Sequence, residues 1–245
     1  MISLNEWGTT MIKHILFDLD GTLIHFDHNL FIQNYLKLLG RKFAPFTDPA
    51  TFAKHVWTAT GYMIKNIDHT KTNAEVFWQY MAQNIDLSRS TLDPLIEDFY
   101  QNDFHELKTI ITVPKILPIL NELIAKNMPI SLATNPVFPL SAVKARLSWG
   151  NLENIPFKHI THYENSHYCK PQLAYFQEIL DTLQLNAQDV LMVGNDVHED
   201  LVAGELGIKT YLLTDFILNK ENRPIQSDFI GNINQFTVDL PKIIA

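Results

Sequence analysis

The chain has 245 residues, 46% hydrophobic and 19% charged, a balance that buries a core and lies far from the low-hydrophobicity, high-charge signature of disorder. A net charge of -8 and a pI near 5.6, with no block of Lys or Arg, exclude a phosphate-backbone footprint, so nucleic acid is not an expected partner. The single cysteine, Cys169, points to a reducing compartment such as the cytoplasm; no signal-peptide pattern is read and no apolar run approaches the roughly 20 residues of a membrane span, so no membrane association is expected.

The first ten residues are expected to be an unstructured lead-in, with Met11 offering a second start. Residues 14 to 18, His-Ile-Leu-Phe-Asp, form an apolar run ending in a carboxylate, the pattern of a buried parallel strand that delivers Asp18 to its C-terminal end. From about Asp27 to Leu107 several helix-like segments follow without a convincing strand. This stretch reads as an inserted helical unit, 27–107, between two parts of a core, 1–26 and 108–245. Its aromatics, among them Phe31, Tyr35, Phe52, Trp57, Tyr62, Phe77, Trp78 and Tyr80, are expected mainly in the core.

Residues 130 to 134 and 189 to 193 repeat the strand pattern, each an apolar run that stops at a polar cluster. Lys209 to Leu213 and the segment around His159 are two further strand candidates. Between them Leu173, Phe176, Ile179, Leu180 and Leu183 recur at helical spacing and give one apolar stripe. Strands alternating with such helices predict an α/β fold, an open and mostly parallel Rossmann-like sheet with helices on both faces. Ligands of such sheets bind beyond the carboxyl ends of the strands.

The chemistry concentrates in Asp18-Leu19-Asp20-Gly21-Thr22. Two carboxylates one residue apart fall on the same side of a strand end, Gly21 permits a sharp turn, and the Thr22 hydroxyl serves either a phosphate oxygen or local backbone. Thr134-Asn135 follows the second strand, Lys170-Pro171 precedes the amphipathic helix, and Gly194-Asn195-Asp196 with Asp200 follows the next strand. One crevice could collect all four clusters.

These four segments, in this order, resemble the motifs of the haloacid dehalogenase superfamily from His14 to about Leu213, with the helical insertion in the place of a cap after the first motif. The resemblance implies a phosphohydrolase in which Asp18 attacks phosphorus and forms an aspartyl-phosphate. Asp20 would protonate the leaving alcohol and then activate water. It also implies Mg2+, held by Asp18, the carbonyl of Asp20 and an acidic loop. Relatives commonly carry Gly-Asp in that loop, whereas this chain has Gly194-Asn195-Asp196. Asp196 is the favoured direct ligand on charge, Asn195 the alternative, and Asp200 would hold a metal-bound water or orient Lys170. An ordinary helix cap is the competing role for Asp200.

Lys170 would neutralise phosphate oxygens and keep Asp18 ionised, with Thr134, Asn135 and Thr22 binding the phosphoryl group. Pro171 reads as a first helical residue, which places Lys170 at a helix N-terminus where a cation opposes the dipole. Dehalogenating members resemble this chain but lack the second aspartate, so phosphoester chemistry on a small phosphorylated metabolite is preferred. A phosphotransferase or mutase of the same superfamily and a non-catalytic binding scaffold are the alternatives; substrate identity and oligomeric state are not legible. His159, His162 and His167 match no zinc spacing, His25 and His28 either line the cap entrance or are solvated, and Cys169 is expected as a packed thiol.

Overall fold

The computed structural model of the chain describes residues 11–244, so the expected lead-in lies outside the described residues. Strand β1 is His14–Phe17 and is buried along its length, as an apolar run covered on both sides must be. Ile130–Leu132 (β2), Val190–Gly194 (β3), Lys209–Leu213 (β4) and Phe229–Gly231 (β5) complete a sheet in the order β2-β1-β3-β4-β5, with every pairing parallel. Phe17 stands level with Leu132 on one side and Val193 on the other. The loops that follow these three strands therefore share one edge of the sheet.

The helices are His28–Phe43 (α1), Pro49–Lys65 (α2), Asn73–Asn84 (α3), Arg89–Gln101 (α4), Leu117–Ala125 (α5), Leu140–Trp149 (α6), Leu173–Leu183 (α7) and Ile233–Ile243 (α8), with a 3-10 segment at Asp103–Ile110. Ile15, Phe17, Leu191 and Val193 join one apolar cluster, while Leu16, Val190 and Met192 join another. That alternation is the period of two of a strand covered on both faces. Helix α7 covers the second face through Tyr175, Phe176, Ile179 and Leu180, each such side chain contributing roughly 1.5–3 kcal/mol on burial. Phe236 and Leu240 of α8 and Ile119 and Leu120 of α5 belong to the first cluster.

Between β1 and β2 the described regular elements are helical. Asp27, Asp48, Thr72 and Ser88 each accept a backbone N–H at the start of α1, α2, α3 and α4, the side-chain capping that starts a helix where the sequence offers Asp, Thr or Ser. Thr72 and Glu75 form a reciprocal capping box. Phe31, Tyr35, Phe52, Phe77 and Trp78 are buried, whereas Trp57 and Tyr62 are exposed. The loop entering α3 is fastened to the segment before α7. Asn73 and Ala74 donate backbone N–H groups to the Ser166 and Tyr163 carbonyls, both at 2.8 Å, and the Gln172 amide donates to the Ile64 carbonyl at 2.8 Å.

One expectation is corrected. The segment around His159 runs beside β2 with a single bridge between Leu132 and Ile160. Asn165 ends that run, since its amide donates to the Ile160 carbonyl at 2.9 Å and its Oδ1 accepts the His162 N–H at 2.9 Å. The tail after Thr214 supplies an edge strand, β5, and a covering helix, α8. No helix among the described residues is long and apolar enough to cross a membrane.

Candidate active site

Asp18 follows β1 directly and its N–H donates to the Val193 carbonyl at 2.9 Å, which holds it at the sheet edge. The chain then closes on itself: the N–H groups of Leu23 and Ile24 both donate to the Leu19 carbonyl, at 2.9 and 3.0 Å. Gly21 sits at φ +97°, and a Cβ there would lie 2.2 Å from Asn195 Nδ2. Both the angle and the space demand glycine. Asp20 is thereby turned to the mouth of the loop, two residues beyond Asp18.

Lys170 is fully buried, with Nζ 2.9 Å from Asp18 Oδ1 and 2.6 Å from Asp200 Oδ1. Burial alone would drive the ammonium toward neutrality, but Asp18 and Asp200 outweigh it and raise its proton affinity. Asp18 is pushed up to about 8, chiefly by burial against the opposing pull of Lys170, with Asp200 and Asp20 adding to the rise. Burial likewise pushes Glu199 up to about 7, Lys170 opposing and Asp196 and Asp200 reinforcing. The cluster holds more negative charge than its lysine offsets.

Asp200 Oδ2 accepts the Asp196 N–H at 2.9 Å. Gly194 makes room for it, because a Cβ at that position would stand 2.1 Å from the same oxygen. The turn at 198–199 is capped by Asp196, whose Oδ1 accepts the N–H groups of His198 at 2.7 Å and Glu199 at 3.0 Å. This corrects the capping role considered for Asp200, which spends its carboxylate on Lys170 and on the loop. Pro171, which follows a cis Lys170–Pro171 bond, is corrected too, because it lies ahead of the helix. Extended Gln172 is the N-cap, so α7 begins at Leu173.

Asn195 is buried against the first motif: its Oδ1 accepts from the Thr22 hydroxyl at 3.3 Å and its Nδ2 donates to the Phe216 carbonyl at 2.7 Å. Thr134 is buried and its carbonyl accepts from Tyr175 at 2.9 Å and Thr161 at 2.7 Å. Asn135 donates to Glu199 Oε2 at 3.0 Å. A cleft of about 320 Å³ opens beside Asp20 and Gly21, lined by His25, His28, Asn195 and Lys220 among others.

Sequence reading missed Arg146, a fully buried arginine on α6 that pairs with Asp20 Oδ2. Its signal was present: Ala142, Arg146 and Trp149 share one buried helical face, and a charge on such a stripe needs a partner. Glu199 was missed as well. His162 and His167 pair instead with Glu164 and Glu178, and Cys169 is a buried free thiol, as the packed reading expects.

The donors that could hold a cation are hard oxygens: Asp18, the Asp20 carbonyl, Asp196 and the Asn195 amide. Asp20 Oδ1 is buried without a hydrogen-bond partner among the described residues, and of Asp18, Asp20, Asp196, Glu199 and Asp200 the first two and Asp200 are in ion-pair contact with Lys170 or Arg146. Among the described residues no three His, Cys, Asp or Glu side chains form a ready-made cage. The set fits Mg2+, which takes only one or two carboxylates and completes its shell with water and phosphate.

Comparison with solved structures places the fold. A predicted phosphoglycolate phosphatase from Haemophilus somnus matches at 20% identity and TM-score 0.58, covering 97% of this chain and 100% of that one. An L-2-haloacid dehalogenase matches at 15% and 0.55, covering 96% and 99%. The HAD-hydrolase YfnB of Bacillus subtilis, bound to magnesium, matches at 19% and 0.55, covering 96% and 99%. No curated protein sequence matches. The sequence profile of the haloacid dehalogenase-like hydrolases matches residues 15–213, a span that contains all four polar clusters, and the chain belongs to that family.

Proposed function

We propose that the chain is a Mg2+-dependent phosphohydrolase acting on a small phosphate monoester, with 1–26 and 108–245 as its core and 27–107 as a helical cap. One arrangement carries the reading: a buried Lys170 bonded to both Asp18 and Asp200, with Asp20 two residues further on. The Asp18 carboxylate attacks phosphorus, the bond to the leaving oxygen breaks, and Asp20 gives that oxygen a proton. Asp20 then takes a proton from the water that attacks the aspartyl-phosphate, which releases phosphate and restores both acids. Lys170 neutralises the phosphoryl oxygens and Asp200 orients it, while Thr134, Asn135 and Thr22 are assigned to hold the transferring group. When bound, Mg2+ would screen the repulsion between carboxylate and phosphate, held by Asp18, the Asp20 carbonyl and Asp196, with Asn195 the alternative.

The phosphatase name of the Haemophilus somnus relative and the magnesium of YfnB support this reading. The second acid, Asp20, favours a leaving group that needs a proton over a halide. The test is phosphate release from an aryl phosphate and a phosphometabolite panel with Mg2+. Asp18→Asn should lose activity at least about 1000-fold, and beryllium fluoride should stabilise the wild type alone. Equal inactivity of both proteins across the panel refutes the proposal.

A further inference from the structure

Arg146 is a buried cation in the site to which the proposed chemistry gives no task. Its Nη1 pairs with Asp20 Oδ2, its Nε donates to the Ala142 carbonyl at 3.4 Å, and its guanidinium carbon lies 4.6 Å over the Phe138 ring. Nη2 is buried with no hydrogen-bond partner among the described residues, as are Asp20 Oδ1 and Asn135 Oδ1. Buried donors of a charged group are among the costliest to leave unpaired. Nη2 and Asp20 Oδ1, the unused ends of the Arg146–Asp20 pair, are left for a ligand to meet.

Position says which part of the ligand. Lys170 stands against Asp18, and Arg146 stands against Asp20, so the two cations bracket the two acids. Phe138, which the guanidinium covers, packs against Phe31 and Tyr35 of α1. An apolar cavity of about 70 Å³ lies beyond it, lined by Tyr35, Val137, Phe138 and Tyr163 among others. Arg146 is therefore on the leaving-group side, where the core meets the inserted helices. Asp20 is its one acidic partner within ion-pair distance among the described residues.

We propose that Arg146 determines specificity by receiving, at Nη2, an oxyanion carried on the leaving group, so that the substrate is a small phosphomonoester with a second negative charge. This rests on the phosphohydrolase reading and deepens it. Nη1 and Nη2 share one carbon, so the ester oxygen beside Asp20 and the oxyanion beside Nη2 are separated by roughly one to three carbons, the reach of a guanidinium fork. A phosphorylated hydroxy acid and a short bisphosphate both supply that chemistry. The apolar wall behind the guanidinium strengthens the attraction and offers a neutral leaving group nothing in exchange.

The test compares near-isosteres: phosphoglycolate, ethyl phosphate and phosphoethanolamine, with propanediol bisphosphate to separate a carboxylate from a second phosphate. In wild type kcat/KM should favour the anionic substrates over ethyl phosphate by at least about tenfold, with phosphoethanolamine poorest. Arg146→Met should bring the ratio of phosphoglycolate to ethyl phosphate near unity, and Arg146→Lys, which keeps the charge and guards against misfolding, should keep part of it. Activity on ethyl phosphate with no anionic preference, or a preference that survives Arg146→Met, overturns the assignment and leaves the phosphohydrolase intact. Inactivity on every substrate, aryl phosphate included, sinks both.

Discussion

Lys170 Nζ stands 2.6 Å from Asp200 Oδ1 and 2.9 Å from Asp18 Oδ1 with its side chain wholly out of solvent. Removing the lysine leaves two buried carboxylates facing each other, a loss of about 3–5 kcal/mol in comparable buried pairs. Lys170→Met should therefore unfold at lower denaturant than wild type at pH 8 and less so at pH 5, where protonation relieves the repulsion. Asp18→Asn should act oppositely, raising stability by about 1 kcal/mol because it removes one of the crowded negative charges, while activity is lost. Urea titrations of the two variants check both signs; a destabilised Asp18→Asn contradicts the charge excess.

Gly21 meets Asn195 more closely than any side chain allows. Gly21→Ala adds a Cβ into that contact at a positive φ, and the strain of about 1–3 kcal/mol falls on the loop that aims Asp20. Expected is a drop in kcat of at least about 100-fold, the scale of one misplaced acid catalyst, with a smaller fall in melting temperature. Gly207→Ala, at φ +86° with open space around the added carbon, is the control: it should lose stability and keep kcat.

Asp196 and Asn195 compete for the role of cation ligand, and each already has one oxygen engaged: Asp196 on the turn it caps, Asn195 on Thr22. A ligand held at a hundred times its dissociation constant stabilises by about 2.7 kcal/mol, a shift of several degrees for a chain of this size. Mg2+ should raise the wild-type melting temperature, and Asp196→Asn, whose amide oxygen can still cap the turn, should lose most of that rise. Full Mg2+ stabilisation of Asp196→Asn together with its loss in Asn195→Ala would assign the role to Asn195.

The parts of this site that were legible in sequence are those where backbone pattern and chemistry coincide. Asp18 announces itself because an apolar run ends on it, and α7 because five apolar residues keep helical spacing. Arg146 shows in sequence only as a charge on an apolar helical stripe, and its role stays hidden because its partner, Asp20, is distant in sequence and only folding brings them together. Strand β5 was illegible for another reason: Phe229–Gly231 is a short edge strand, partly exposed, and so lacks the apolar run that marks β1 and β3. Pro171 misled because proline suits a first helical turn in general, while the local backbone here delays the helix to Leu173.

Asn73 ties the start of α3 to the loop that carries Lys170. It is fully buried, and its amide donates to the Pro136 carbonyl at 3.2 Å, the Tyr168 carbonyl at 3.3 Å and Cys169 Sγ at 3.3 Å. Asn73→Ala strips those acceptors of a buried partner, at a cost of about 1–3 kcal/mol. Because Cys169 precedes Lys170, the loss should reach catalysis: KM for phosphate esters is expected to rise more than kcat falls. Asn84→Ala, on the exposed end of the same helix, should leave kinetics unchanged, and an equal response of the two variants would deny the coupling.

His14 gives the fold an acid limit unrelated to Asp18 and Asp20. Its Nε2 meets Ser131 Oγ at 2.8 Å in the buried layer between β1 and β2, and burial, with Lys158 and His159 nearby, lowers its pKa from 6.5 to about 4. The folded state therefore refuses a proton that the unfolded chain accepts. Stability from this group is complete above pH 6.5, falls as the pH drops through the window down to about 4, and is constant below it. The total lost is roughly 3 kcal/mol at 1.36 kcal/mol per unit. Since other groups also titrate in that range, the measurement is the difference between wild type and His14→Gln in urea unfolding free energy from pH 7.5 to 4. The difference should shrink by that amount as pH falls, because glutamine has no proton to refuse. A difference that stays flat across the window would mean that His14 is protonated as readily in the fold as outside it.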